Sequence, residues 1–314
     1  MMMNTIFRKE VAQGWLSVYM DNIAIHTKPL PGESHQQHHA RHSKLTHHVF
    51  DKLEKEDFYL KPEKCAFAQK ETDYLGVIIG NGKLRMDPKK LKGVTDWATP
   101  RMVTKVCQSL GFTGYYRYFV PKYSEVACPL LDLTKKTTPW HWDDEQQTAF
   151  STLKNLMCAS PILIQPDFNK QFFLQADASA YGVGAILSQK GEHLSPSLAK
   201  RHKPVRHSVA YYSTTFSPTK RNYNIYKREL LAMMKSLAHW RQYLEWTREP
   251  FIILSDHDNL CYWKSPRNLN RRTARWHADL QEYDYLTQHI SGKENIPADA
   301  LSRPLGINQG KDDN

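Results

Sequence analysis

Residues Phe172 to Leu187 read FFLQADASAYGVGAIL: an apolar strand-forming run, an acid at Asp177, a short polar turn, and a second apolar run that holds Gly182 and Gly184. This pattern predicts two paired strands around a turn that begins at Asp177. Working outward toward the C-terminus, the basic, Pro-, Ser- and His-rich stretch from Lys190 to His207 has no period and is expected to be a loop. Val209–Ser213 then reads as a strand, Tyr226–Leu244 as a long amphipathic helix and Phe251–Ser255 as a strand. Arg272–Leu280 reads as a helix, Tyr285–Ile290 as a strand, and Ala298 opens a final helix. Three strands followed by alternating helices and strands imply a mixed sheet flanked by helices.

Upstream of Pro161–Asp167 the character differs. Trp15–Ile25 reads as a hairpin with Asp21-Asn22 at its tip, Glu33–Leu53 as a helix with Pro62 closing the element, and Thr72–Met86 as two strands around Asn81-Gly82. Helical patterns follow at Pro88–Trp97, Val103–Tyr118 and Glu145–Met157, set off by Pro100, Pro121 and Pro139. The expected organisation is one domain over 1–160, a second over 161–304, and a disordered tail at 305–314.

With 314 residues, 40% hydrophobic and 11% aromatic, the chain can pack two cores, which excludes global disorder. Its formal charge of +11 points to a polyanionic partner. No apolar run approaches the ~20 residues that span a bilayer, and the start MMMNTIFRKEVAQGW lacks a secretory signal, so an intracellular address (cytoplasm or nucleus) and no membrane partner are expected. Cys65, Cys107, Cys128, Cys158 and Cys261 are scattered and odd in number, which reads as buried reduced thiols.

Four acids of the second half sit where strands end or helices begin: Asp177, Glu229, Asp256 and Asp299. Carboxylates gathered at one sheet edge repel unless cations bridge them, and oxygen-only ligands favour Mg²⁺ or Mn²⁺. In a two-metal site one ion activates water and the other stabilises a leaving phosphodiester oxygen. The competing reading is a set of solvated acids and helix caps.

DASAYGVGAILSQ, RELLAMMKSLAHWRQYL, LSDHDNL and SGKENIPADALSR resemble, in order, the motifs of the ribonuclease H domain in gypsy-type LTR retrotransposon pol polyproteins. The resemblance implies hydrolysis of the RNA strand of an RNA–DNA hybrid with two Mg²⁺ ions, and it maps the catalytic acids onto Asp177, Glu229, Asp256 and Asp299. Lys227 stands where relatives often carry a second acid. His289 lies ten positions before Asp299, the offset of a proton-transfer His in retroviral and cellular relatives, although LTQHI also reads as a strand with a structural His. His257 suits either orienting Asp256 or plain packing.

VYMDN at Val18–Asn22 resembles the Y-x-D-D turn of reverse transcriptases, and FYLKPEKCAFAQKETDYLGVII resembles the palm and its primer-gripping hairpin. LGFTGYYRYFVPKYSEVACPLLDLTKK and PWHWDDEQQTAFSTLK resemble the thumb and connecting region. The implied fold class is α/β and α+β: a truncated palm and helical thumb, then a ribonuclease H-like mixed sheet. Of the residual polymerase turn, Tyr19, Asp21 and Asn22, only Asp21 brings a carboxylate, and the family's earlier palm Asp is expected to be absent with the fingers. That half is therefore expected to hold a hybrid without extending it.

The cluster His35, His38, His39, His42, His47 and His48 contains i,i+4 pairs that suit Zn²⁺ on a helix, against the reading of a solvated polar face. Arg117 within GYYRYF, and Lys200, Arg201 and Lys203 in the long loop, are candidate nucleic-acid contacts. The expected partners are RNA–DNA hybrid, RNA and DNA, with a homodimer or other pol chains left open. Besides the ribonuclease, two further readings stand: a noncatalytic nucleic-acid-binding remnant, and a subunit completed by a polymerase chain in trans.

Overall fold

The computed structural model describes residues 2–159, 162–179, 181–191, 206–245, 247–256 and 271–290, the side chains of 271–273 excepted. Asp299 and the helix expected from Ala298, His257, Cys261, the basic residues Lys200, Arg201 and Lys203, and the tail 305–314 lie outside the described residues. The chain divides into two compact units, Met1–Gly82 and Lys83–Asn314. The boundary read near Pro161–Asp167 therefore falls inside the second unit, whose helical segment and sheet pack together.

In the first unit, helices α1 (Met2–Ile6) and α2 (Arg8–Ala12) precede strands β1 (Leu16–Tyr19) and β2 (Asn22–Ile25), followed by helix α3 (His35–Lys55). β1 and β2 pair Leu16 with Ile25 and Val18 with Ile23, which sets these four residues on one face. That face packs with Phe7, Val49 and Leu53. Tyr19 pairs with Asn22, so the tip is Met20-Asp21 and not Asp21-Asn22; slipping the register by one would turn the apolar face outward. Helix α3 starts after Ser34, whose side chain and that of Gln37 form a capping box. Pro62 does not close it: the helix stops at Lys55, and Pro62 opens a separate 3₁₀ turn, Pro62–Lys64.

The stretch read as two strands contains three. β3 (Glu71–Tyr74) and β4 (Val77–Gly80) pair around Leu75-Gly76, and β5 (Lys83–Met86) follows Asn81-Gly82. Leu75, Gly76, Asn81 and Gly82 all take positive φ, as type I′ turns require. A leucine at the first such position carries no turn signal, which hid β3.

The second unit continues with α4 (Pro88–Thr95), α5 (Val103–Tyr115), a 3₁₀ turn Arg117–Phe119, α6 (Tyr123–Val126), α7 (Cys128–Asp132) and α8 (Asp144–Cys158). Strand β6 (Leu163–Ile164) pairs antiparallel with β5. Then come β7 (Phe172–Ala178), β8 (Gly182–Lys190), β9 (Arg206–Thr215), α9 (Pro218–Arg221), α10 (Ile225–His239), α11 (Arg241–Leu244), β10 (Phe251–Ser255), α12 (Arg271–Gln281) and β11 (Tyr285–His289). The sheet order is β11-β10-β7-β8-β9, with β7, β10 and β11 parallel and β8 and β9 antiparallel to their neighbours. This is the mixed sheet read from the element order.

Phe172, Leu174 and Ala176 of β7 and Val183, Ala185 and Leu187 of β8 share a buried core with Leu230, Met233 and Leu237 of α10. Each alternates along its strand, so one face of the sheet meets one face of the helix. The helix read as Tyr226–Leu244 breaks at Trp240, whose ψ of 21° leaves helical geometry while its side chain stays 1% exposed. Asp177 lies within β7 rather than at its end, because the strand runs on to Ala178 and Asp177 pairs with Gly184. β9 likewise begins at Arg206, inside the stretch read as loop. Cys107 and Cys158 are exposed, contrary to the reading of buried thiols, since the apolar faces of α5 and α8 run through Val106 and Leu110 and through Leu153 and Met157.

Between β7 and β8 the Ser179 hydroxyl accepts from the N–H groups of Tyr181 and Gly182. A Cβ at Gly182 would lie 2.6 Å from the Thr214 carbonyl oxygen, a backbone atom that cannot swing aside. Gly182→Ala should therefore cost about 1–3 kcal/mol in urea unfolding; an unchanged midpoint would show that β8 and β9 can part without penalty.

Candidate active site

β7 and β10 run parallel in the register Phe173–Ile252, Leu174–Ile253 and Gln175–Leu254. Extending that register by two residues reaches Asp177, next to last in β7, and Asp256, one past the end of β10. Asp177 is buried, and Asp256, one residue past β10, is exposed. His289 pairs with Ser255 on the far side, exposed at the same end of the sheet, where the Ile290 N–H donates to the Ser255 carbonyl at 2.9 Å.

Glu229 arrives from α10, in the buried run that follows Arg228. Asn224 starts this helix by accepting from the Lys227 N–H, which fixes the helical phase that turns Glu229 inward with Leu230. The Glu229 carboxylate accepts from the Ala178 N–H at 3.3 Å, the residue after Asp177. Burial, then the negative charge of Asp177 and that of Asp256, push its carboxyl up to about 9; the Ala178 bond and Arg228 act the other way. Sequence and fold thus bring Asp177, Glu229 and Asp256 within electrostatic reach of one another.

The donor set suits a hard divalent cation: the groups are carboxylates, and a group kept protonated by burial and by neighbouring acids is a ligand that ionises when positive charge arrives. Among the described residues, no three His, Cys, Asp or Glu side chains close into a finished coordination shell, and Asp299 lies outside them.

The other candidates are dispersed. Tyr19, Asp21 and Asn22 are exposed at the β1–β2 hairpin of the first unit. His38 and His42 both hydrogen-bond the Thr27 hydroxyl, at 2.9 and 3.0 Å, and His48 bonds the buried Glu10 carboxylate at 2.9 Å. Burial holds His42 below the ordinary histidine value. Tyr116 and Phe119 are buried while Tyr115 and Tyr118 are exposed. Arg117 turns inward, donating to the Ser213 carbonyl at 3.2 Å. Ser213 and Ser124, which also bond each other, escaped sequence reading because they lie 89 residues apart and neither carries a motif.

Residues 167–283 match the profile of the RNase H-like domain found in reverse transcriptase. The Transposon Tf2-7 polyprotein of Schizosaccharomyces pombe is 36% identical over 302 residues, covering 96% of this chain and 21% of that protein. The Tf2-3 polyprotein of the same organism is 35% identical over the same length. Over nearly its whole length the chain is similar to these gypsy-type retrotransposon polyproteins. It spans about a fifth of the length of these curated relatives. The foamy viral protease-reverse transcriptase in complex with RNA/DNA hybrid shares the fold of this chain, with a TM-score of 0.74 at 19% identity over 99% of this chain and 39% of that one. The same viral protein in complex with dsDNA gives 0.71 at 19% identity, over 92% and 56%. Among the described residues no helix is long and apolar enough to cross a membrane.

The raised Glu229 value makes a sign-definite prediction. Folded Glu229 holds its proton more tightly than the unfolded chain, so in metal-free buffer stability is full below about pH 4.5 and is lost as pH rises toward 9. The slope should be about 1.4 kcal/mol per pH unit at most, absent in Glu229→Gln, when denaturant midpoints are followed from pH 5 to 8 with chelator present. Parallel curves for the two proteins would mean that neither burial nor the neighbouring carboxylates raise Glu229.

Proposed function

We propose that this chain is a ribonuclease H, hydrolysing the RNA strand of RNA–DNA hybrids by two-metal catalysis. The observation that carries the reading is the meeting of Asp177, Glu229 and Asp256 at one end of the sheet, with Glu229 pushed up to about 9. A structural role leaves that arrangement unexplained, since two buried acids that feel each other, with a third acid in electrostatic reach, oppose folding. The family match over 167–283 supports assigning residues 161–304 to the ribonuclease domain. The hybrid complex of the foamy viral protein supports RNA–DNA hybrid as substrate, and the charge of +11 suits DNA and RNA alike.

Asp177, Glu229 and Asp256, with Asp299, would hold Mg²⁺ or Mn²⁺. When bound, such ions lower the pKa of a water nucleophile and neutralise charge on the scissile phosphate. The protein's part is to keep these carboxylates on one rigid sheet end, to have Glu229 give up its proton as positive charge arrives, and to keep its orientation through the Ala178 N–H. His289 is exposed at the neighbouring strand end, which supports a role in carrying a proton to the leaving oxygen. Lys200, Arg201 and Lys203 are assigned to phosphate contact on charge alone.

Asp177→Asn, Glu229→Gln and Asp256→Asn should each lower Mg²⁺-dependent cleavage of a labelled hybrid by roughly a hundredfold or more, since each removes charge from an ion site worth several kcal/mol. Hybrid binding should survive, and Asp258→Asn, outside the matched motif positions, should cleave normally. Wild-type cleavage by Asp177→Asn would discard the site, and hybrid binding without any cleavage by the wild-type chain would leave a noncatalytic binding remnant as the account.

The polymerase half is proposed to be inactive. Asn22 offers a neutral amide oxygen where Y-x-D-D turns carry a second carboxylate, so Asp21 alone is a weak ion site. The purified chain should not extend a primer on a template with Mg²⁺ and nucleotides, and Asn22→Asp should not restore extension. Template-dependent products from the wild-type chain would refute this, and products appearing only with a second pol chain would favour completion in trans.

A further inference from the structure

We propose that Arg117 and Ser124 form a positioning clamp on Ser213 that sets where along a bound hybrid the acid cluster cuts, an inference that rests on the ribonuclease reading. The Ser124 hydroxyl donates to the Ser213 carbonyl at 2.6 Å, and the Ser124 N–H donates to the Ser213 hydroxyl at 3.0 Å. The Arg117 guanidinium donates to the same carbonyl at 3.2 Å and to the Ser124 hydroxyl at 3.4 Å. Three hydrogen bonds therefore meet on one residue of β9, the edge strand of the sheet, the fourth ties Arg117 to Ser124, and Ser213 is buried beneath them.

Both ends of this clamp are rigid. On the helical side, Arg117 lies 5.5 Å from the centre of the Tyr123 ring, and the Tyr123 hydroxyl bonds Thr113 at 3.0 Å and the Leu110 carbonyl at 3.3 Å, both in α5. On the sheet side, Ser213 pairs with Gly184, and Gly184 pairs with Asp177. The clamp thus grips the same cross-strand row that carries Asp177, two strand spacings or about 10 Å away. The end of β9 is tied in again by the Phe216 N–H, which donates to the Tyr181 carbonyl at 2.8 Å in the turn after Asp177.

Tyr115 and Tyr118, 48% and 44% exposed, flank Arg117 on the helical segment. A duplex resting on those rings is referenced to Asp177 through Arg117 and Ser124. Small errors in such placement are costly for chemistry. Arg117 acts through Ser213: its Nη2 group donates into the protein, to the Ser213 carbonyl and the Ser124 hydroxyl, which makes it a positioning residue.

The test uses the full chain with two variants, Arg117→Ala and the double Ser124→Ala/Ser213→Ala, the second of which deletes only hydroxyls. Three readouts are the hydroxyl-radical footprint on an end-labelled hybrid in Ca²⁺, the ladder of cuts in Mg²⁺, and the salt dependence of binding. In both variants the dominant cut should spread to neighbouring positions, one nucleotide for each ~3.4 Å of slack, and the footprint should lose its fixed edges. The salt slope should stay at the wild-type value. An unchanged ladder and footprint with only a lower melting temperature would reduce the clamp to a structural contact. A salt slope smaller by about 0.9 in Arg117→Ala would make it a phosphate ligand after all. If wild type gives a footprint and no cuts, the ribonuclease reading falls and the footprint alone decides the clamp; no wild-type footprint overturns both.

Discussion

Strand β7 is hydrogen-bonded on both sides, antiparallel to β8 and parallel to β10, and this double pairing governs the position of everything chemical in the second unit. One of its faces supplies Phe172, Leu174 and Ala176 to the core under α10, and burial of such side chains is worth about 1.5–3 kcal/mol for each large one. The alternate face carries Phe173, Gln175 and Asp177. Because a slip of one residue would exchange the faces, the same packing that stabilises the sheet prevents Asp177 from being anywhere else.

Against that favourable packing stands an unfavourable electrostatic one. Asp177 and Glu229 are 7% and 8% exposed, and Glu229 feels both Asp177 and Asp256. Burial weakens solvation of each charge and strengthens repulsion between them. Arg228 and one backbone N–H offset only part of this. The well-packed core between the sheet and α10 outweighs this opposition.

The helical segment is not merely appended to the sheet. Arg117 and Ser124 reach β9, β5 pairs with β6, and a small cleft between Ser124, Glu125, Tyr181 and Thr215 marks the seam. Sheet edges left open invite pairing with other chains, and here the helical segment covers part of one. The outcome is a second unit running from Lys83, whose helices and sheet share one packed body.

Periodicity and punctuation were enough to read most of the elements: alternation in FFLQADA and GVGAIL, the spacing of Leu230, Leu231, Met234 and Leu237, and the Asn81-Gly82 turn are local properties of the chain. Local rules failed where a turn used an unmarked residue, as at Leu75, and where tertiary packing broke a helix, as at Trp240. The ordered acids Asp177, Glu229 and Asp256 were legible as a motif, yet nothing local says that they meet. Their meeting depends on the parallel register of β7 with β10 and on the seating of α10, contacts between residues about 50 to 80 positions apart in sequence. The same holds for Ser213, an ordinary strand serine in sequence that becomes a junction only because folding brings Arg117 and Ser124 against it. Sequence determined which residues could carry charge and which faces had to be buried, because those are properties of side chains and their spacing. Only the tertiary structure decided which charges share a neighbourhood, because desolvation and Coulomb repulsion depend on distance through space and not along the chain.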